Sequence, residues 1–224
     1  MSGQITTLRV QKRNRDRVNV YLDGEYRFSL VSHLAVPLRR GQILSEHEIA
    51  HLKEEDAYHH AYEQMARFIA FRPRSEVELR QRMARHNISA ATADRVMERL
   101  ATVGLLDDAQ FARQWVENRI TFRPRSRRML RYELTQKGLA EPVIEQAIEQ
   151  VDEAQDARRL AMEKGQKLSH LEWSAFRQKL TGYLTRRGYP YDLTRRVIQE
   201  AWQALGKGAD NVRESEEEEW TSSL

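Results

Sequence analysis

Three groups of residues in this 224-residue chain have types and spacings that could carry chemistry. His47-Glu48-Ile49-Ala50-His51 satisfies H-E-x-x-H, the pattern in which two histidines one helical turn apart ligate zinc and the glutamate is the base of a peptidase. Asp107-Asp108 sets two carboxylates side by side, a pairing that general acid/base chemistry can use. Arginines form the third group: Arg72, Arg74, Arg80 and Arg82 around one short segment, and Arg123, Arg125, Arg127, Arg128 and Arg131 around another. A guanidinium presents a planar fork of donors that matches phosphate or carboxylate oxygens.

The first two groups have simpler readings. Ser45 and Glu48 have the spacing of a capping box, in which each side chain satisfies the other residue's backbone N–H at a helix start. That accounts for Glu48 without zinc. His47 then falls in the first helical turn, and no compelling third ligand follows, although Glu63, Glu76 or His59 and His60 could be proposed. Asp107 and Asp108 come just after Gly104, where glycine closes one helix and an aspartate opens the next. Both groups read as structure. The chain is expected to have no catalytic residue, no metal and no cofactor, with a zinc peptidase as the weakest functional reading.

The arginines, by contrast, are placed by an internal repeat. Phe71-Arg72-Pro73-Arg74-Ser75 recurs 51 positions later as Phe122-Arg123-Pro124-Arg125-Ser126. In the same register Leu79 and Met83 fall on Leu130 and Leu134, Ala61, Met65 and Ile69 on Ala112, Val116 and Ile120, and Leu100 on Val151. An apolar skeleton at helical spacing, kept over about fifty residues, marks a repeated unit. Proline forces the preceding arginine out of helical geometry, so a helix ends there. Ser75 caps the next helix and Glu78 completes a capping box; in the second copy Ser126 caps, with Met129 at the glutamate's position. Arg127 and Arg128 occupy that helix's first turn, where positive charge opposes the dipole by about 0.3–1 kcal/mol each. They are expected to weaken the fold slightly, and partner contact is expected to centre on the basic turn of the second copy, Arg123, Arg125, Arg127, Arg128 and Arg131, and to extend to Arg72, Arg74, Arg80 and Arg82 of the first. Arg186, Arg187, Arg195 and Arg196 are the fallback site.

The elements follow from the same reading. Thr6–Val10, Arg17–Leu22 and Glu25–Leu30 read as strands, the last two joined through Asp23-Gly24, a two-residue hairpin signal. A short helix is expected over 31–36, then a turn at Gly41 and a helix over 46–54. From Ala57 the pattern is helical throughout: helices at 57–70, 75–86 and 89–103, then 108–121, 126–137 and 141–152, then 152–164, 171–186 and 192–205. The expected organisation is a small α+β unit over 1–56, three-helix repeats over 57–107, 108–151 and 152–205, and an acidic tail over 206–224. The fold class is mainly α, with tandem repeats forming an elongated curved array.

Charge and composition narrow the function classes. The net charge of +4 hides an asymmetry: residues 208–224 hold one arginine and six acids, leaving residues 1–207 with 36 bases against 27 acids. Thirty of the 37 basic residues are arginine, a skew that a G- and C-rich genome would also produce, so position matters more than number. There is no cysteine, which excludes disulfides and thiolate metal sites and suits a reducing cytosol. No apolar run has the length of a membrane span, and the N-terminus lacks a signal peptide's apolar region. A monomeric cytoplasmic protein without membrane contact is expected.

Gly104-Leu105-Leu106-Asp107-Asp108-Ala109-Gln110-Phe111-Ala112, followed by Arg131-Tyr132-Glu133-Leu134-Thr135-Gln136-Lys137-Gly138-Leu139 in correct repeat phase, resembles the RecX family of bacterial regulatory proteins. The resemblance covers roughly residues 5–205 and leaves the acidic tail without a counterpart. It implies a non-catalytic protein that lies in the groove of the RecA recombinase filament on single-stranded DNA. There it would impede filament growth and lower strand exchange, ATP hydrolysis and repressor cleavage. The alternative is a helical-repeat protein that binds nucleic acid directly and without sequence preference, since Arg-rich helix starts could grip phosphates; weak direct DNA contact is compatible with both.

Overall fold

A computed structural model describes residues 2–207. Among these residues it contains four strands and ten helices, and it divides into two compact units between Asp107 and Asp108. Of the acidic tail expected over 206–224, residues 208–224 lie outside the described residues.

The first unit opens with an antiparallel sheet of order β3-β2-β1-β4, in which β1 is Gly3–Val10, β2 Arg17–Leu22, β3 Glu25–Val31 and β4 Ile43–Leu44. The hairpin expected at Asp23-Gly24 is present. Both residues have positive φ, 50° and 90°, the conformation that a two-residue turn needs to match strand twist. Alternation along β2 buries Val18, Val20 and Leu22, and the last two pack with Ile5, Phe28, Leu30, Leu38 and Leu44. The two-residue strand β4 was not foreseen: Gly41 turns the chain back so that Ile43 and Leu44 pair with Gln4 and Gly3.

After the short helix α1 (Ser32–Ala35) comes α2, one helix of 26 residues from Glu46 to Phe71. This corrects the expected break between helices at 46–54 and 57–70. No glycine or proline lies between Ser45 and Pro73, so nothing obliges the chain to leave the helix. Asp56, in the expected break, faces the sheet: its carboxylate accepts from Arg17 Nη1 at 2.8 and 3.0 Å and from the Val31 N–H at 2.7 Å. The strand unit and the first repeat therefore share a helix. That repeat is completed by α3 (Glu76–Arg85) and α4 (Ala90–Thr102), which enclose Ala61, Met65, Leu79, Met83, Val96, Met97 and Leu100.

The second unit holds two further bundles. Helices α5 (Asp108–Phe122), α6 (Arg127–Gln136) and α7 (Glu141–Ile148) bury Ala112, Val116, Leu130, Leu134, Ile148 and Val151. These are the register partners of the first bundle's core, as the repeat requires. Helix α7 stops four residues short of the expected 152, and the chain turns through Glu149-Gln150. Helices α8 (Glu153–Lys167), α9 (Trp173–Thr185) and α10 (Tyr191–Ala204) form the third bundle around Phe176, Leu180, Leu184, Val197, Ile198 and Trp202.

Candidate functional site

The site is built from the two Pro-containing turns and the helices that follow them. In each copy a serine N-cap accepts from a backbone N–H, Ser75 from Glu78 and Ser126 from Met129, and both serines are fully buried. The turns are thereby fixed, and with them the starting directions of their arginines. In the first turn Arg72 Nη2 lies 2.9 Å from Glu78 Oε1, so the capping glutamate also holds an arginine. Arg80 is held by Glu76 at 2.8 Å and Asp94 at 2.6 Å. Arg74 and Arg82 both lie over the Phe68 ring, with Cζ 3.7 and 4.2 Å from its centroid.

The second turn is spent differently. Pro124 is buried, and the turn packs on the junction between α9 and α10. The Ser126 N–H donates to the Arg187 carbonyl at 3.1 Å, and Arg125 Nη1 donates to the Arg186 carbonyl at 3.1 Å. Gly188 closes this contact at φ +87°, and a Cβ there would stand 2.5 Å from Ser126 Oγ. Arg131 is tied to Glu141 at 3.2 Å and to Glu145 at 2.7 Å.

Arg127 requires a correction. It was expected to weaken the fold, yet its Nε donates to the Val151 carbonyl at 3.0 Å and its Nη2 to the Glu149 carbonyl at 2.5 Å. These carbonyls lie just past the end of α7, where backbone acceptors have no helical donor and a cation is favourable. A charge unhelpful to its own helix therefore caps another. Arg123 and Arg128, both exposed, make no ion pair or side-chain hydrogen bond among the described residues.

The structure thus brings the predicted residues into two separate settings. Within the first unit are Arg72, Arg74, Arg80 and Arg82, with only Arg74 and Arg82 lacking a carboxylate ion pair. Within the second, Arg125, Arg127 and Arg131 join elements together, while Arg123 and Arg128 face outward. Sequence reasoning did not single out Phe71 and Phe122, which occupy equivalent repeat positions and are 87% and 73% exposed. A signal was present, since both stand off the apolar stripe of their helices.

The other candidates fall into structural roles. Glu48 Oε2 accepts from Ser45 N–H at 2.8 Å and Oγ at 2.7 Å, and these bonds hold its carboxyl below the usual carboxylate range. His47 and His51 are exposed. Among the described residues, no group of three or more His, Asp or Glu side chains is placed to hold a metal ion. Asp107 precedes α5 and Asp108 is its first residue, where acidic charge favours the helix dipole. Among the described residues no helix is long and apolar enough to cross a membrane.

Comparison with known proteins gives a consistent result along the chain. Domain models of one family match in order: Regulatory protein RecX N-terminal domain over residues 3–43, then RecX first, second and third three-helix domains over 61–100, 107–148 and 151–198. A protein of Amycolatopsis mediterranei named Regulatory protein RecX is 35% identical over 160 residues, covering 70% of this chain and 91% of its own length. One of Listeria monocytogenes serotype 4b with the same name is 28% identical over 207 residues, covering 90% and 77%. A crystal structure of regulatory protein RecX superposes with a TM-score of 0.68 at 24% identity, over 88% of this chain and 99% of that one. RecX from Lactobacillus salivarius gives 0.57 at 19%, over 66% and 97%.

Proposed function

Because the chain belongs to the RecX family of regulatory proteins, we propose that it is a non-catalytic, cytoplasmic regulator of the RecA recombinase. It binds RecA filaments assembled on single-stranded DNA and lowers their recombinase, ATPase and coprotease activities, within DNA repair and the SOS response. The observation that carries this reading is the run of four RecX domains in order from residue 3 to residue 198. The fold is compatible with it. The paired carboxylates and the H-E-x-x-H pattern sit at helix starts, and the arginines offer binding chemistry rather than proton transfer.

Arg123 and Arg128 are the residues through which the second repeat would meet acidic or phosphate groups recurring along such a filament. Neither is held by an ion pair or side-chain hydrogen bond among the described residues, so neither gives up such a contact there on binding. Exposed cations of this kind add association rate and salt sensitivity more than depth of affinity. The chain works as a monomer and needs no cofactor.

A pull-down against RecA tests the reading, run with and without single-stranded DNA and a non-hydrolysed nucleotide. Retention should require DNA and nucleotide together, because the assembled filament is the target. A folded protein that ignores the assembled filament would contradict it.

A further inference from the structure

The two FRPRS-containing repeats differ at one place in a way that core packing does not demand. The repeat register pairs Phe68 with Arg119, Arg74 with Arg125 and Arg82 with Glu133. In the second copy one carboxylate stands between two guanidinium groups. Glu133 Oε2 accepts from Arg119 Nε at 2.7 Å and from Trp115 Nε1 at 2.9 Å, and Oε1 lies 3.6 Å from Arg125 Nε. In the first copy the place of that carboxylate is taken by a guanidinium.

Arg74 and Arg82 therefore share the Phe68 ring as two like charges. The Nε of each is buried and has no hydrogen-bond partner among the described residues. Glu78, the carboxylate that bears on Arg74, is already engaged by the Ser75 N–H at 3.3 Å and by Arg72 at 2.9 and 3.3 Å. Burial first, and then the nearness of Arg72, pull the Arg74 guanidinium below its ordinary value. Stacking on a ring orients a guanidinium plane but neutralises it far less than a carboxylate does. The fold holds two oriented cations without a carboxylate ion pair among the described residues, stacked on Phe68, which lies three residues along α2 from Phe71, an aromatic side chain that is 87% exposed.

We propose that Arg74 and Arg82, stacked on Phe68, form a site for a backbone phosphate of single-stranded nucleic acid, with Phe71 stacking on an adjacent base. A phosphodiester brings two free oxygens to two guanidinium groups, and bases of a single strand are open to an aromatic face. A duplex keeps its bases stacked on one another and away from Phe71. An acidic protein segment would satisfy the arginines and leave Phe71 without a role.

Fluorescence anisotropy of a labelled oligothymidylate, titrated with the full chain over a series of salt concentrations, tests this. Arg82→Glu gives the first repeat the carboxylate that the second already holds, so it should fold, and a melting curve checks that. Binding should weaken about tenfold and its salt slope should shrink by about one. Phe71→Ala should weaken binding about fivefold or more at every salt concentration with the slope kept. If Arg82→Glu loses its cooperative melt, Arg82→Gln removes the charge with less disturbance and carries the same expectation. Unchanged curves for folded variants of both residues overturn the site. Loss with Arg82→Glu but none with Phe71→Ala, together with effective competition by polyglutamate, overturns the nucleic-acid assignment in favour of an acidic segment. No RecA is present, so the outcome stands apart from that of the filament reading.

Discussion

Arg127 and Arg128 are adjacent in sequence and spend their charge in different ways. Arg127 supplies two donors to carbonyls beyond α7, so its removal orphans acceptors that α7 leaves at its end. Arg127→Glu should lower stability by about 1–3 kcal/mol. Arg128→Glu should stay within about 0.5 kcal/mol of the wild type or gain slightly, since an acid in a first helical turn is favourable. Urea denaturation of the two variants checks the contrast, and equal losses would contradict it. His59 offers a second test at this scale. Partial burial, and then His33 with its Nε2 at 3.0 Å, lower the His59 pKa beneath the ordinary value of about 6.5, against the opposing pull of Glu55, Asp56 and Glu63. Because the unfolded chain binds this proton more readily, stability is intact above about pH 6.5 and falls as pH drops through the lowered folded value. His59→Gln should flatten melting temperature against pH over that window. A slope identical to that of the wild type would place the titration elsewhere.

The helices show what the sequence makes legible and what it does not. Ser45 with Glu48 and Ser75 with Glu78 form the capping boxes that their spacing predicts, because a cap involves residues three apart. The repeat register also placed the core. Leu79, Met83, Leu130, Leu134, Leu180 and Leu184 are all fully buried, so Leu130→Ala should cost about 2–5 kcal/mol in thermal or chemical denaturation. A harmless substitution there would mean a different register. The role of Asp56 was not legible because its partners Arg17 and Val31 are 39 and 25 residues away. The role of Arg127 was hidden for the same reason, its acceptors lying 22 and 24 residues on. The Arg82-for-Glu133 exchange, by contrast, stands in the aligned repeats and needed only a comparison of charges rather than of apolar positions. Gly188 shows the geometric limit. Its positive φ belongs to a tight turn, but only the structure reveals Ser126 against it, so Gly188→Ala should cost about 1–3 kcal/mol by melting.

At the scale of the molecule, four small cores follow one another along the chain, one in the strand unit and one in each three-helix bundle. Of the five arginines expected to bind in the second repeat, Arg125, Arg127 and Arg131 are engaged in joining elements, which makes Arg123 and Arg128 the pair to reverse. The RecA reading is tested most directly by steady-state ATP hydrolysis of RecA on single-stranded DNA, titrated with this protein. Hydrolysis should fall along a saturable curve. Arg123→Glu combined with Arg128→Glu should shift that curve to higher protein concentration, more so as salt is raised, while the melting temperature is kept. Hydrolysis that stays constant across the titration with folded wild-type protein would contradict the account.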